Sequence, residues 1–167
     1  MAEMRDVVNP RQVVLVTSRA HMTPRFKAKE EEKDNIITVA WHMPVSFEPP
    51  IYAVSIGKTR YSRELISKGK AFVVNFMPYE MLEQVVRCGT ISGEHINKFK
   101  EAGLEKENAD TVDCCRIKNA LAYLECEVEQ EIEAGDHIIF IGKVLKTGKN
   151  REGKRIFQIK HSRFAKL

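Results

Sequence analysis

Residues 121–132, with the sequence LAYLECEVEQEI, carry the pattern that decides the fold class of this chain. Apolar side chains and glutamates alternate along the segment. The apolar positions are Ala122, Leu124, Cys126, Val128 and Ile132, and the glutamates are Glu125, Glu127, Glu129 and Glu131. Because successive side chains of a strand point to opposite faces, the segment is predicted to be a half-buried β-strand. The glutamate row is expected to face water rather than to hold a metal ion.

Six further segments have the same strand-like composition, with short runs of Val, Ile and Phe between turn residues. They are residues 12–18, 36–42, 51–57, 71–77, 137–148 and 155–161. Seven strands in 167 residues predict a mostly β fold with a few helices. Closure of the sheet into a barrel is the expected architecture, since it removes exposed strand edges.

Helices are predicted at residues 60–67, 78–88 and 92–102. Thr59 and Ser92 are suitable N-cap residues for the first and third of these helices, and Gly69 and Gly103 can end them. The second helix begins with a proline, which is favoured in a first turn. Residues 21–34 are polar and are predicted to form an exposed loop.

The amino-acid composition limits the classes of protein to which this chain can belong. The chain has 167 residues, 43% hydrophobic and 30% charged, which is typical of a globular protein, and residues 1–167 are expected to form one domain. The formal net charge of +4 is too small and too scattered to indicate a nucleic-acid partner. No apolar run is long enough for a membrane span, and no secretory signal is recognisable. The four cysteines include no Cys-x-x-Cys pair, so reduced thiols in a cytoplasmic protein are expected.

Two sequence positions are candidate anion sites. One is the predicted helix start at Thr59-Arg60-Tyr61-Ser62, where free amides, hydroxyls and an arginine occur together. The other is Ser92-Gly93, which is followed by Lys98. Each could equally be an ordinary helix cap. Gly57-Lys58-Thr59 is not a nucleotide-triphosphate loop, since position 52 is a tyrosine where that loop needs glycine.

Other cofactor motifs are absent from the sequence. No Gly-x-Gly-x-x-Gly occurs, which argues against a Rossmann dinucleotide domain. The five histidines have no metal-ligand spacing, so no metal site is expected. Trp41, the only tryptophan, is usually a core residue in such a position, but at a strand end it could form a wall for a flat ligand.

An ordered set of motifs resembles the flavin reductase-like proteins. The set comprises Asn35-Ile-Ile-Thr38-Val-Ala40-Trp41, Val45-Ser46-Phe47, Pro49-Pro50, Ser55-Ile56-Gly57, Arg60-Tyr61-Ser62, Phe72-Val-Val-Asn75-Phe76, Ser92-Gly93, Asn97-Lys98-Phe99, Leu124-Glu125-Cys126, Gly135-Asp136-His137 and Gly142-Lys143-Val144. The resemblance runs from about residue 10 to residue 144. It implies an FMN-binding split β-barrel that forms a homodimer, with FMN near the subunit interface.

The resemblance also implies a function. Electrons from NADH or NADPH would pass through bound FMN to a small-molecule or protein acceptor, such as free flavin or a ferric complex. The alternative is an FMN-binding electron carrier of the flavoredoxin kind that lacks its own nicotinamide site. The long segment 21–34 favours this alternative, because it could cover the approach to the flavin. FMN has a single phosphate, so one anion cradle suffices and no Rossmann motif is needed.

Site residues follow from the same resemblance. The flavin ring is expected against Thr38, Val39, Ala40 and Trp41, and the ribityl phosphate against Ser55, Ile56, Gly57, Arg60, Tyr61 and Ser62. Ser92, Gly93 and Lys98 are expected to close the site, and Asn35 and Ser46 of the opening motifs to belong to it. His137 matches the family histidine near the nicotinamide and the flavin, and it is the expected catalytic residue.

Overall fold

The structure is a computed structural model, and it describes residues 3–23, 29–160 and 162–167. The strands are β1 (Arg11–Gln12), β2 (Val14–Met22), β3 (Glu31–Val39), β4 (His42–Phe47), β5 (Pro50–Gly57), β6 (Ala71–Phe76), β7 (Lys106–Asn108), β8 (Cys115–Ile117), β9 (Ala122–Ala134), β10 (His137–Lys149), β11 (Ile156–Lys160) and β12 (Arg163–Lys166). The α-helices are α1 (Met4–Val7), α2 (Tyr61–Gly69), α3 (Leu82–Thr90) and α4 (Lys98–Ala102), and a 3-10 helix spans Tyr79–Met81.

Seven of the strands form one antiparallel sheet in the order β3-β2-β6-β9-β10-β5-β4. A second sheet has the order β1-β11-β12, and β7 pairs with β8. The mostly β prediction is confirmed. Closure into a barrel is not, because the edge strands β3 and β4 do not pair with each other within the described residues. The predicted strand 36–42 is divided between β3 and β4, with Trp41 in the connection.

Strand β2 lies between two cores. Val14 and Val16 pack into one apolar cluster with Phe72 and Phe140, while the alternate residue Leu15 packs into another with α3 and α4. All of these side chains are fully buried. A strand covered on both faces needs no polar alternation, which explains the continuous apolar run at 13–16.

The prediction of a loop at residues 21–34 is wrong for most of the described residues of the segment. Strands β2 and β3 pair as far as Met22 and Glu31, so residues 21–22 and 31–34 are paired strand, and residues 24–28 lie outside the described residues. An ion pair between facing residues of β2 and β3 also holds the two strands together. Arg19 donates hydrogen bonds to both carboxylate oxygens of Asp34, at 2.7 and 3.1 Å, and both side chains are largely buried.

The helices differ from the predictions at their ends. Helix α2 has Arg60 rather than Thr59 at its N-cap; Gly69 is its last residue, and the left-handed C-cap, with a φ of 55°, is Lys70. Gly69 serves a different purpose. A Cβ atom at Gly69 would lie 1.9 Å from the carbonyl oxygen of Arg19, so the glycine allows α2 to pack closely on β2.

The third predicted helix, 92–102, is much shorter in the structure. Only Lys98–Ala102 is helical, because the side chain of Asn97, not Ser92, caps its first turn by accepting a hydrogen bond from the Lys100 amide. The end at Gly103 is as predicted, with a φ of 63°. Ser92 and Gly93 therefore lie in a turn between α3 and α4 and contribute no helix dipole.

The glutamate row of β9 does not face water along its whole length. Glu125 is fully buried, and its carboxylate accepts hydrogen bonds from the Asp110 amide, the Thr111 amide and hydroxyl, and the Arg116 guanidinium. The loop between β7 and β8 folds over this part of the strand and supplies the Asp110 and Thr111 donors, and β8 supplies Arg116. Glu127 and Glu129 are exposed as predicted.

Within the described ranges, the helices are too short or too polar to cross a membrane.

Candidate functional site

Two adjoining cavities lie where β3, the β5–α2 turn and the α3–α4 turn meet. The first, here called the polar cavity, has a volume of about 300 Å³ and contains eight of the residues expected at the site: Asn35, Thr38, Arg60, Tyr61, Ser62, Ser92, Gly93 and Lys98. The second, here called the aromatic cavity, has a volume of about 220 Å³. It is lined by Thr38 and Arg60 again, together with Val39, Ala40, Trp41, Ser55, Ile56, Gly57 and His137. The shared residues make the two cavities one groove.

Ser46 is the one expected site residue that the structure places elsewhere. It lies on the edge strand β4 opposite Ile51 and lines neither cavity. Strand β4 starts at the groove beside Trp41 and then leads away from it. Four residues further along an extended chain, Ser46 is about 13 Å beyond the start of the strand.

A hydrogen-bonded wall separates the polar cavity from the protein interior. The Asn35 amide Nδ2 donates to the Ser62 hydroxyl at 2.9 Å, and both side chains are buried. Gly93 packs directly on this pair, since a Cβ atom there would lie 1.9 Å from Oδ1 of Asn35. The sequence motifs of β3, α2 and the α3–α4 turn thus meet at one point. Because Ser62 Oγ accepts from Asn35, its own hydrogen is free to donate.

Lys98 is buried at the base of the polar cavity. Its ammonium donates hydrogen bonds to the carbonyl oxygens of Ile36, at 2.8 Å, and Cys88, at 2.7 Å. One of its three N–H groups remains for a ligand. Burial, with a smaller contribution from the nearby Arg60, lowers the pKa of Lys98 to about 8.

Arg60 lies at the mouth of the same cavity, at the N-cap of α2. Among the described residues its guanidinium has no hydrogen bond or ion pair, and none of the residues lining the polar cavity is acidic. The amides of Tyr61 and Ser62 precede the first bonds within the helix and point toward its N-terminus. Two cations, free hydroxyls and helix amides without a carboxylate make this cavity suitable for an anion.

The aromatic cavity is bounded by a stacked pair of rings. The Trp41 and His137 rings lie 4.8 Å apart at an angle of 26°. Nδ1 of His137 is 2.7 Å from the Asp136 carboxylate, which orients the imidazole. Gly57 lies beneath His137 and Arg60, at ordinary contact distance for a Cβ atom. This cavity is therefore flat, aromatic at one end and open to solvent.

Sequence reasoning missed contacts that position the groove. The Thr38 hydroxyl donates to the Val85 carbonyl at 2.5 Å, and Gly89 of α3 lies against Thr38, so α3 is held close to β3. The Arg11 guanidinium lies 5.5 Å from the centre of the Trp41 ring. Neither could be expected from sequence spacing. Gly89 and Thr38 are 51 residues apart along the chain, and β1 has only two residues.

Lys98 predicts a pH dependence of anion binding. The cavity favours an anion more strongly while Lys98 is protonated, and with a pKa of about 8 the lysine loses its proton mainly between pH 7 and 9. FMN affinity should therefore weaken as pH rises through this range, since the phosphate itself is already a dianion above a pKa of about 6.

Riboflavin, which has no phosphate, is the control for this prediction. Its affinity should stay constant between pH 7 and 9 when both flavins are titrated by fluorescence quenching. A Lys98→Met variant should bind FMN more weakly at pH 7 and show no fall with pH. Equal pH dependence for the two flavins would contradict the assignment of Lys98.

Comparisons with known proteins bear on this groove. The model of the flavin reductase like domain matches residues 4–165. The chain belongs to the flavin reductase-like family. The resemblance inferred from its motifs is thereby confirmed. Among curated relatives, uncharacterized proteins from Archaeoglobus fulgidus and Pyrococcus abyssi are 40% and 36% identical, each over 114 residues and 68% of this chain. The chain spans just under two thirds of these relatives, 64% and 65% of their lengths.

Solved structures share the fold of this family member. An FMN-binding protein from Thermus thermophilus has a TM-score of 0.84 at 20% identity, with 99% of this chain and 90% of that chain covered. The flavoredoxin of Desulfovibrio vulgaris has a TM-score of 0.82 at 22% identity and the same coverage. An NADH:FAD oxidoreductase from Streptomyces globisporus has a TM-score of 0.82 at 20% identity, with 98% and 90% covered.

Proposed function

We propose that the groove binds FMN and that the protein is an NAD(P)H-dependent oxidoreductase, passing electrons from a nicotinamide through FMN to an acceptor. The observation that supports this most directly is the joining of two unlike cavities. An acid-free cavity with two cations opens into a flat cavity bounded by Trp41 and His137. FMN has the corresponding two parts, a phosphate dianion and a planar ring.

The residues of the groove fit FMN by their chemistry. Arg60, the third N–H of Lys98 and the Ser62 hydroxyl would hold the phosphate, with the first amides of α2. The strand residues from Thr38 to Trp41 would lie along the ring. FMN, when bound, supplies the exchange of hydride and single electrons. Asp136 holds His137 in orientation at the open side, where the imidazole would position a nicotinamide.

The alternative function, an electron carrier without a nicotinamide site, rests on segment 21–34 as a cover. Within its described part, residues 21–23 and 29–34, no residue lines either cavity. This favours the oxidoreductase, since the open face of the aromatic cavity is not covered by these residues. A flavoredoxin is among the solved structures that share this fold, so the electron carrier is tested beside the oxidoreductase.

Anaerobic mixing of the FMN-loaded protein with NADH or NADPH distinguishes the two functions. Rapid bleaching of the flavin band is expected for the oxidoreductase. If dithionite bleaches the band but neither nicotinamide does so, the electron carrier is the correct function. If FMN fails to bind to micromolar protein, both are wrong.

His137→Ala should slow the bleaching of FMN by NAD(P)H more than it weakens FMN binding. Loss of one positioning contact costs about 1–2 kcal/mol, or about tenfold in rate. Stopped-flow absorbance measures the rate, and fluorescence titration measures the affinity. His95→Ala is the matched control, because His95 is well exposed and lines neither cavity. Equal rates in the wild type and the His137 variant would remove His137 from the reaction.

We also propose that the protein is a homodimer, as the family resemblance implies. An exposed apolar strip on the edge strand β4 supports this proposal, since Met43, Val45 and Phe47 are 59%, 47% and 94% exposed. Such strips commonly mark interfaces between proteins. Light scattering of the FMN-loaded protein should give twice the chain mass of 19.1 kDa, and Phe47→Asp should shift it toward the monomer. A monomer in the wild type would contradict the proposal.

A further inference from the structure

A third cavity, of about 240 Å³, lies beside the aromatic cavity. Its walls include Arg11, Trp41, Met43, Ala53, Ser55 and Ile139. Ala40, Trp41 and Ser55 line both this cavity and the aromatic cavity, whereas none of the walls belongs to the polar cavity. Most of the surface is hydrocarbon or indole. The volume is below the range of about 300–1,000 Å³ typical of drug-sized ligands, so it suits a molecule of one ring.

Arg11 is the only cation on these walls. Strand β1 positions it by pairing with β11, and its guanidinium packs toward the Trp41 ring. Its Nε atom is buried and makes no hydrogen bond within the described residues. Burial lowers the pKa of Arg11 below its ordinary value. A buried charged donor without a partner is costly, and an anion in the cavity would remove that cost.

His42 is the other titratable side chain on these walls, and both of its ring nitrogens already have hydrogen-bond partners. Its Nε2 atom lies 3.0 Å from the carbonyl oxygen of Gln12, and Nδ1 lies 2.7 Å from the Tyr52 hydroxyl. The carbonyl requires a hydrogen on Nε2. Burial lowers the pKa of His42, which favours the neutral ring, and in the neutral ring Nδ1 accepts from the Tyr52 hydroxyl. The cavity therefore offers a ligand one positive charge and an apolar body.

We propose that the third cavity binds a planar aromatic monocarboxylate of one ring, of which benzoate is the simplest. Its ring lies among Trp41, Ala53 and Ile139, and its carboxylate accepts a hydrogen bond from Arg11. Inorganic phosphate does not suit this cavity, because a dianion without an apolar part would lose its hydration and gain little contact. The site adjoins the proposed position of the flavin ring, through Ala40, Trp41 and Ser55, and shares no residue with the polar cavity that would hold the phosphate.

Trp41 provides the measurement, because it is the only tryptophan of the chain and forms a wall of the cavity. Benzoate, its neutral isostere benzamide and inorganic phosphate are titrated into the protein while tryptophan fluorescence is recorded. Benzoate should bind about tenfold or more tightly than benzamide, as one charged hydrogen bond allows, and phosphate should leave the signal unchanged.

Three variants complete the test. Arg11→Gln should remove the preference for benzoate over benzamide. Ile139→Glu, at a half-buried position of the cavity wall outside the proposed dimer strip, should also weaken benzoate by repulsion, and it keeps the test decisive if the Arg11 variant fails to fold. Arg163→Gln, an exposed arginine on β12 that lies on no wall, is the matched control and should change neither affinity.

FMN titration of the same preparations separates this proposal from the proposed function. Normal FMN binding with equal affinity for benzoate and benzamide, or with no binding of either, would overturn the third-cavity site alone. Benzoate preference without FMN binding would overturn the proposed function alone. Retention of the full benzoate preference in folded Arg11→Gln would also overturn the assignment, since Arg11 is its only cation.

Discussion

Replacing Arg60 with alanine should weaken FMN binding by about ten- to a hundredfold and leave riboflavin binding nearly unchanged, because a charged hydrogen bond contributes roughly 1.5–3 kcal/mol. Arg60 is one of two cations on a cavity without a carboxylate, and the described residues give its guanidinium no other partner. Riboflavin lacks only the phosphate, so the ratio of the two affinities isolates the contacts to that group.

Arg63→Ala is the matched control for Arg60→Ala. It removes an arginine from the same helix, but that side chain points toward the Lys58 carbonyl and Glu64 and does not line the polar cavity. Its FMN affinity should equal that of the wild type. If Arg60→Ala weakens FMN and riboflavin by the same factor, Arg60 supports the ring or the fold, and the phosphate is held elsewhere.

The second large effect is on stability. Glu125→Ala should lower the free energy of unfolding by about 1–3 kcal/mol, because it leaves buried donors without an acceptor. The Thr111 amide, 2.7 Å from the carboxylate, loses its partner, and the Arg116 guanidinium, 2.9 Å from it, keeps only Glu107 and Asp110 as carboxylate partners. Chemical denaturation followed by circular dichroism measures the loss.

Glu127→Ala is the matched control on the same strand, since Glu127 is exposed, and it should change stability very little. Glu125→Gln should be intermediate, because it keeps the size and one acceptor oxygen but removes the charge. Burial alone would raise the pKa of Glu125, but its hydrogen bonds from Thr111, Asp110 and Arg116 lower it overall. Stability from Glu125 is therefore complete above the ordinary glutamate pKa and is lost as pH falls through the lowered value. Equal stability of the Glu125 and Glu127 variants would show that the buried network contributes nothing.

Much of the groove could be expected from the order of motifs in the sequence. Asn35, Ser62 and Gly93 come from three separate motifs, and the structure brings them together at one hydrogen-bonded wall. Ser46 belongs to an equally recognisable motif but lies on the outer strand. A motif identifies a segment and says little about which of its residues faces a cavity, because that depends on where the strand bends.

Local signals were least reliable where tertiary contacts compete with them. Thr59 and Ser92 are both good capping residues, yet Arg60 and Asn97 occupy the N-cap positions. The backbone between α3 and α4 follows the wall formed by Asn35 instead of continuing as a helix. Gly69 resembled a helix terminator, but it is required by the approach of α2 to the Arg19 carbonyl.

The sequence by itself determined the strand pattern, the family and the segments that supply the groove, because side-chain alternation and the spacing of motifs are local properties of the chain. Only the tertiary structure decided which charged groups are buried. Glu125 reads as one member of a solvated row, and Lys98 only as a cation that closes the site, until segments distant in sequence supply the partners that bury them. For Lys98 these are the carbonyl oxygens of Ile36 and Cys88. The cost of burying a charge is met by donors and acceptors that only the folded chain brings together.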